Sequence, residues 1–327
     1  MRRTLLLLLK AAVSILLIYL SLRAVNLAAL GDRLSRIDAG WIAAAFFLQM
    51  LQIALLAYRW QTIVACCGPI LPFAATLRII IIASFFNQVL PSTVGGDAAR
   101  IWMLRRTGSS WASAAYSVVI DRIVGVLALA TLVIVCLPWT LTLLHNPTAR
   151  ALLLLIGIGA IAGAIVFLAI GLLRWPILQR WGMTRHLVEA SRIAWRLCRS
   201  WRLLATVGAA SFAIHLLTIA AAWCMVQSVA ASVDFVMLLF LIPPVLLIAT
   251  VPISIAGWGL REGSMIVAFS YAGLAQSDGL IVSVLIGLVM FGIGAVGGIV
   301  WITSDTKGVR LSELADSDEQ SRSSDGV

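Results

Sequence analysis

The sequence predicts an all-α polytopic membrane protein, with six full crossings plus two re-entrant helical hairpins arranged as an inverted repeat. Three observations lead to this prediction. The chain of 327 residues is 61% hydrophobic and only 12% charged, and its mean hydropathy is +1.04, a composition typical of integral membrane proteins. Its apolar residues form runs as long as a bilayer is thick. Two further apolar segments are interrupted by proline and glycine in matching order.

Six runs have the length that a helix needs to cross the hydrocarbon core, about 20 residues. They cover residues 5–22, 39–64, 112–137, 152–173, 203–226 and 279–303. The first run follows a basic N-terminus, so a cleaved signal peptide is the alternative interpretation. No clear small-x-small cleavage pattern follows that run, and we therefore expect a membrane anchor.

Two apolar segments are predicted to turn back inside the membrane. The first, 73–106, is broken at Pro91, and the second, 234–272, is broken at Pro243–Pro244 and again over 252–259. Irregular backbone at membrane depth is tolerated only where protein or a water-filled cavity covers it. Both breaks are therefore expected to lie in a functional interior.

The two breaks share one pattern. Proline, glycine and arginine stand at the same relative positions in both, without a gap and 161 residues apart: Pro91, Gly96 and Arg100 against Pro252, Gly257 and Arg261. Paired interrupted helices of this kind indicate the binding site of a secondary transporter.

The prediction divides the chain into two halves and a tail. The first half, 1–138, and the second half, 139–303, each contain three crossings and one hairpin, and an odd number of crossings inverts the second half. A basic amphipathic segment, 174–202, contains seven arginines interleaved with tryptophans, which is typical of a helix on an anionic leaflet. Residues 304–327 are predicted to be a disordered cytoplasmic tail.

The distribution of lysine and arginine predicts the orientation. With a cytoplasmic N-terminus, 16 of the 24 basic residues fall inside and four outside, as the positive-inside rule requires. We expect a multi-pass protein of the bacterial cytoplasmic membrane with both termini in the cytoplasm. The arginines flank apolar segments, so the net charge of +10 indicates contact with lipid head groups and not with nucleic acid.

The chemistry is expected at the two tips. The second arm of each hairpin begins there, so both arms would direct free N–H groups and a positive dipole end toward one central volume. Arg100 and Arg261 are predicted to hold one phosphate with their planar guanidinium groups. Asp97 is expected at a helix N-cap, and the glycines are expected to let the backbone approach a ligand. Three acids are expected either to orient the arginines or to receive a cation: Asp97, Asp121 and Glu262. The candidate substrate-binding residues are Pro91, Ser92, Gly95, Gly96, Asp97, Arg100, Asp121, Arg122, Pro252, Gly257, Gly259, Arg261 and Glu262.

A structural role is the alternative for several of these residues. Proline and glycine are frequent in transmembrane helices for packing alone, and Asp121–Arg122 and Arg261–Glu262 could be purely structural pairs. Charge inside a membrane costs about 2.5–3.5 kcal/mol on insertion scales, which favours function. His215 is expected to be a packed, hydrogen-bonded histidine.

No catalytic residues, metal site or cofactor are predicted. The three histidines do not fall in a catalytic motif, and the five cysteines show neither metal spacing nor a disulfide framework. The acids at membrane depth (Asp97, Asp121 and Glu262) are well separated in sequence. The sequence therefore does not indicate an enzyme.

Three stretches of the chain resemble a known family. NQVLPSTVGGDAARIWMLRRTG, the Asp121–Arg122 pair and PISIAGWGLREG are similar to the signature regions of the lysylphosphatidylglycerol synthase transmembrane-region family, also described as flippase-like. The resemblance extends to about Thr303 and implies lipid translocation across a bacterial cytoplasmic membrane. Unlike the bifunctional member of that family, the chain shows no soluble synthase domain, so we do not expect it to make aminoacyl lipid.

Three functions follow as hypotheses. The first is a flippase-like transporter of a phosphate-bearing lipid (a phospholipid, an aminoacyl-phospholipid or a glycolipid), with an anionic membrane lipid as substrate. The second is a membrane-embedded enzyme that modifies a lipid phosphate. The third is a non-transporting partner of a lipid synthase or glycosyltransferase, with segment 174–202 as its docking surface.

Overall fold

The computed structural model describes residues 37–90, 94–143, 147–172, 182–231, 233–250 and 259–304. Within these ranges the chain forms ten helices and no strand. The predicted anchor 5–22 and nearly all of the predicted tail lie outside the described residues. The all-α prediction is confirmed for the part of the chain that is described.

The ten helices follow one another with short connections. In chain order they are α1 (Ala39–Cys66), α2 (Phe73–Val89), α3 (Gly95–Arg106), α4 (Trp111–Leu143), α5 (Pro147–Leu172), α6 (Gly182–Arg199), α7 (Trp201–Ser228), α8 (Phe235–Ala249), α9 (Leu260–Tyr271) and α10 (Gln276–Thr303).

Five of these helices are long and apolar enough to cross a membrane. The candidate spans are Ala39–Cys66, Trp111–Thr142, Leu154–Leu172, Trp201–Ser228 and Gln276–Thr303, and each coincides with a predicted crossing. The chain is therefore a membrane protein by helix length and composition. The boundary predicted between residues 138 and 139 falls inside α4.

Both predicted hairpins contain a short apolar helix followed by a second helix. α2 has 17 residues and α8 has 15, so at 1.5 Å per residue each is at most about 26 Å long. That is shorter than the hydrocarbon core of about 30 Å. α2 packs against α3, and α8 packs against α9.

The predicted break at Pro243–Pro244 is wrong, because α8 continues through both prolines. A proline removes the N–H that would bind the carbonyl oxygen four residues earlier. For Pro244 that oxygen belongs to Phe240, and Thr140 Oγ1 of α4 lies 3.4 Å from it. The same hydroxyl lies 3.0 Å from the carbonyl oxygen of Cys136 in its own helix, so its one hydrogen is shared between that oxygen and the oxygen left free by Pro244.

The core is built where helices pack closely. α1 packs along α7, and α2 packs along α10. At the second contact, a Cβ on Gly297 would overlap the carbonyl oxygen of Ile81, and one on Gly298 would lie 3.0 Å from the Phe85 ring. The glycines of α10 therefore allow the backbone of α2 to approach, which holds the first hairpin in place.

The basic segment forms a helix whose apolar face is covered by protein. α6 buries Val188, Ser191 and Leu197, and Ser191 Oγ donates a 2.6 Å hydrogen bond to the carbonyl oxygen of Phe167 in α5. Its other face exposes the Arg192–Glu189 pair. Residues 174–181 lie outside the described residues.

Candidate functional site

A cavity of about 250 Å³ lies between α1, α2, α3, α4 and α7. Its polar lining comes from α1, α2, α3 and α4 in equal numbers, and α7 and Thr250 after α8 add one residue each. The cavity therefore contacts the first predicted hairpin through α2 and α3, and the second predicted hairpin at Thr250. The lining residues that carry charge or hydrogen-bonding groups are Gln52, Arg59, Ser84, Asn87, Asp97, Arg100, Asp121, Arg122, His215 and Thr250.

Five of these side chains form a row of alternating charge. Arg59 Nη2 lies 2.9 Å from Asp121 Oδ1, and Arg100 Nη2 lies 2.8 Å from Asp121 Oδ2. Arg100 Nη1 is 3.5 Å from Asp97 Oδ1. Arg122 donates to both oxygens of Asp97, at 2.8 and 3.0 Å. The row, which we call the charge chain, begins and ends with an arginine.

The charge chain runs from the protein interior to its surface. Asp121, Arg59 and Arg100 are 2%, 4% and 5% exposed. The side chain of Arg122, in contrast, is 52% exposed. Arg122 is therefore the member of the charge chain that a ligand can reach most easily.

Neighbouring side chains fix the inner arginines. The guanidinium carbon of Arg100 lies 4.4 Å from the centroid of the Trp60 ring, a cation–π contact, and Trp60 Nε1 donates to Ser117 Oγ. Arg59 Nη1 donates a 3.0 Å hydrogen bond to Ser211 Oγ. One buried donor, Arg100 Nε, has no hydrogen-bond partner among the described residues.

A second cluster forms at the start of α9. Arg261 Nη2 lies 2.8 Å from Glu262 Oε1, and Ser283 of α10 donates to the same oxygen at 3.0 Å. Glu262 Oε2 accepts the N–H of Gly259, whose φ of +86° is a conformation that glycine adopts without strain. The described residues that line the cavity do not include Arg261 or Glu262.

The family described as Lysylphosphatidylglycerol synthase TM region matches residues 7–298. The match covers the cavity and the second cluster. The chain belongs to this family. No match is found among curated proteins. The resemblance seen in the sequence is confirmed, and membership places the chain among membrane proteins linked to lipid modification or transport.

In this member of the lysylphosphatidylglycerol synthase TM region family, four predicted site residues line the cavity and belong to the charge chain: Asp97, Arg100, Asp121 and Arg122. Two more, Arg261 and Glu262, form the second cluster with Gly259. Four lie outside the described residues: Pro91, Ser92, Pro252 and Gly257.

The expected role of Asp97 as an N-cap is wrong. α3 begins at Gly95 with Val94 as its N-cap, so Asp97 is the third helical residue. Its carboxylate pairs with arginines instead of capping the helix. The N–H of Gly96 is bound by Asn87 Oδ1 of α2 at 2.8 Å, so the helix start is satisfied by the other arm of the hairpin.

Gly95 and Gly96 are needed for helix packing. A Cβ on Gly95 would lie 2.7 Å from the carbonyl oxygen of Phe86, and one on Gly96 would lie 2.6 Å from that of Ala83. Both are buried. The absence of a side chain here lets α2 and α3 pack at backbone distance.

Arg59 was missed by reasoning from the sequence. It lies near the end of the predicted crossing 39–64 and beside Trp60, so the orientation count placed it among the cytoplasmic residues. In the structure the side chain of Arg59 is buried and forms an ion pair with Asp121. A signal was available, because Gln52 and Arg59 are seven residues apart on one helical face and both line the cavity.

Two expectations about other chemistry can be compared with the described residues. His215 Nε2 lies 3.0 Å from the carbonyl oxygen of Gly125, so the prediction of a packed, hydrogen-bonded histidine is confirmed. Within the described ranges, no group of three or more His, Cys, Asp or Glu side chains could hold a metal ion.

Proposed function

We propose that the chain is a flippase-like transporter that moves a phosphate-bearing lipid across the bacterial cytoplasmic membrane, with its head group in the cavity. One observation supports this proposal: the charge chain lines a cavity in a membrane protein, and its outermost member, Arg122, is half exposed. Charged side chains at membrane depth are costly and mark substrate pathways. A guanidinium that can offer parallel N–H donors is suited to a lipid phosphate.

In this proposal Arg122 receives the phosphate first. Its two donors bind Asp97, and a phosphate oxygen replaces the carboxylate when lipid enters. Arg100 Nε, buried in the cavity lining without a partner, is a second donor for the same group. An unmade hydrogen bond at a buried donor costs about 1–3 kcal/mol, which a phosphate oxygen would recover.

The proposed transport path uses both hairpins. Helices α2–α3 and α8–α9 are re-entrant in this proposal, and the anchor 5–22 is the sixth crossing, so that the two halves form an inverted repeat. Thr250 brings the second hairpin to the edge of the cavity. Alternating access then exposes the cavity to one leaflet at a time, with both termini in the cytoplasm.

The proposal is tested with purified protein in vesicles that contain a fluorescent phosphatidylglycerol, quenched from outside. Wild-type protein should make the inner-leaflet fraction accessible faster than protein-free vesicles do. Arg122→Ala should slow this rate about tenfold or more, because charge-assisted hydrogen bonds contribute about 1.5–3 kcal/mol. Arg192→Ala is the matched control, since Arg192 is also half-exposed and ion-paired but lies on α6, outside the cavity.

The other hypotheses give different results in the same vesicles. A lipid whose mass changes during incubation would indicate a lipid-modifying enzyme. Wild-type protein that neither moves nor alters lipid would support a non-transporting partner of a synthase or glycosyltransferase. Equal rates for wild type and Arg122→Ala would show that the cavity is not the transport site.

A further inference from the structure

The ionisable side chains of the cavity do not balance. Among the residues that the structure describes, its lining contains three arginines (Arg59, Arg100 and Arg122) against two aspartates (Asp97 and Asp121). His215 also lines it and donates from Nε2 to a carbonyl oxygen, and the three arginines disfavour a further positive charge there. The cavity therefore has one excess positive charge.

The residues that connect α2 to α3 and α8 to α9 add no charge to this count. Residues 91–93 are Pro-Ser-Thr, and residues 251–258 are Val-Pro-Ile-Ser-Ile-Ala-Gly-Trp, so neither contains an ionisable side chain. The second cluster pairs one arginine with one glutamate and is itself neutral. The excess charge belongs to the charge chain.

The two aspartates of the charge chain differ in their ion-pair partners and in their surroundings. Asp121 is buried between Arg59 and Arg100 and joins three helices. Asp97 faces the half-exposed Arg122 and is 3.5 Å from Arg100. Asp97 therefore contacts the same two guanidinium groups that a phosphate would use, and its negative charge competes with that of the ligand.

We infer that Asp97 determines the charge of the lipid head group that the cavity accepts. Its carboxylate limits the excess charge of the cavity to a single positive charge. A phosphodiester matches that charge, whereas a phosphomonoester or a pyrophosphate carries more negative charge than the cavity can neutralise. An uncompensated charge inside a membrane protein is unfavourable. One negative charge on the ligand removes the excess, whereas a second creates an excess of the opposite sign. This inference rests on the proposed function, because it takes the cavity as a phosphate site.

The test compares binding of three lipids to purified protein at pH 8. Phosphatidylglycerol is the phosphodiester probe, phosphatidic acid is the phosphomonoester probe and phosphatidylcholine is the zwitterionic reference. A phosphomonoester with a second pKa of about 6 is mostly dianionic at this pH. Wild-type protein should bind phosphatidylglycerol more tightly than phosphatidic acid.

Asp97→Asn should reverse this preference. The substitution raises the excess to two positive charges with almost no change in side-chain size, and the ratio of the two dissociation constants should shift at least tenfold toward phosphatidic acid. Glu189→Gln is the matched control, because it removes the same charge from an exposed pair on α6. Its ratio should equal that of the wild type.

A second variant keeps the inference testable if Asp97→Asn does not fold. Arg122→Gln lowers the excess to zero, so phosphatidylglycerol should lose its advantage over phosphatidylcholine; an unchanged advantage would overturn the inference.

Three outcomes separate this inference from the proposed function. Tighter wild-type binding of phosphatidic acid, or an unchanged ratio in folded Asp97→Asn, would overturn the role of Asp97 while lipid transport still stands. Wild-type protein that neither distinguishes anionic lipid from phosphatidylcholine nor moves lipid in vesicles would overturn the proposed function as well.

Discussion

Arg100 Nη2 lies 2.8 Å from Asp121 Oδ2, and this contact joins α3 to α4 across 21 residues of sequence. The sequence suggested that Asp121 and Arg122 pair with each other or act at the tips. In the structure they pair in opposite directions, Asp121 with Arg59 and Arg100, and Arg122 with Asp97. Neighbouring helical residues point about 100° apart, so they serve different parts of one charge chain.

Asp121→Asn is expected to destabilise the protein. Its loss leaves the guanidinium groups of Arg59 and Arg100, both about 95% buried, without their shared carboxylate. Removing one partner of a buried ion pair costs about 3–5 kcal/mol, so the melting temperature in detergent should fall by several degrees or more. Adding Arg59→Gln to the same variant should restore part of the loss, and Glu189→Gln should melt like the wild type. A wild-type melting temperature for Asp121→Asn would show that the pairing does not stabilise the fold.

Gly297→Ala is expected to separate α10 from α2. The new Cβ would overlap the carbonyl oxygen of Ile81, and overpacking of this kind costs about 1–3 kcal/mol. The variant should therefore melt at a lower temperature. Gly159→Ala on α5 is the matched control, because a Cβ there meets nothing within 4 Å. Equal melting temperatures for Gly297→Ala and the control would contradict this account of the α2–α10 contact.

Arg185→Cys tests the orientation. Arg185 is exposed on α6. The distribution of lysine and arginine predicts that this basic helix faces the cytoplasm. The prediction is the same when Arg59 is counted with the cavity and not with the cytoplasmic residues. A membrane-impermeant maleimide should therefore label the variant in broken cells and fail to label it in intact cells. Ready labelling of intact cells would reverse the orientation.

The thiol of Cys67 is expected to react slowly. Cys67 follows the last residue of α1, and burial raises the pKa of this thiol to about 12. The thiolate is the reactive form, so at neutral pH almost all of Cys67 stays protonated, and the rate of labelling should keep rising as the pH approaches 12. In purified protein, the introduced exposed cysteine of the Arg185→Cys variant is the reference and should react much faster at pH 7. Equal rates at pH 7 would show that partial burial does not raise the pKa of the Cys67 thiol in this way.

The sequence by itself determined the helices. Hydrophobic length predicted six crossings. Five of them match the five described helices that are long and apolar enough to cross a membrane, and the sixth, 5–22, lies outside the described residues. The predicted breaks at Pro91 and over 252–259 fall in sequence between α2 and α3 and between α8 and α9. These features depend on the solvation of contiguous residues, which a sequence displays directly. The family was also evident from the tip motifs.

Only the tertiary structure decided which side chains meet. Arg59 belongs to the charge chain because α1 packs beside α4, and Asp97 binds Arg122 because α3 packs beside α4. The hydroxyl that approaches the carbonyl oxygen left free by Pro244 in α8 likewise comes from another helix. Pairing across helices depends on their relative position and rotation. Periodicity along one chain shows which face a residue occupies, but it does not show which partner that face meets.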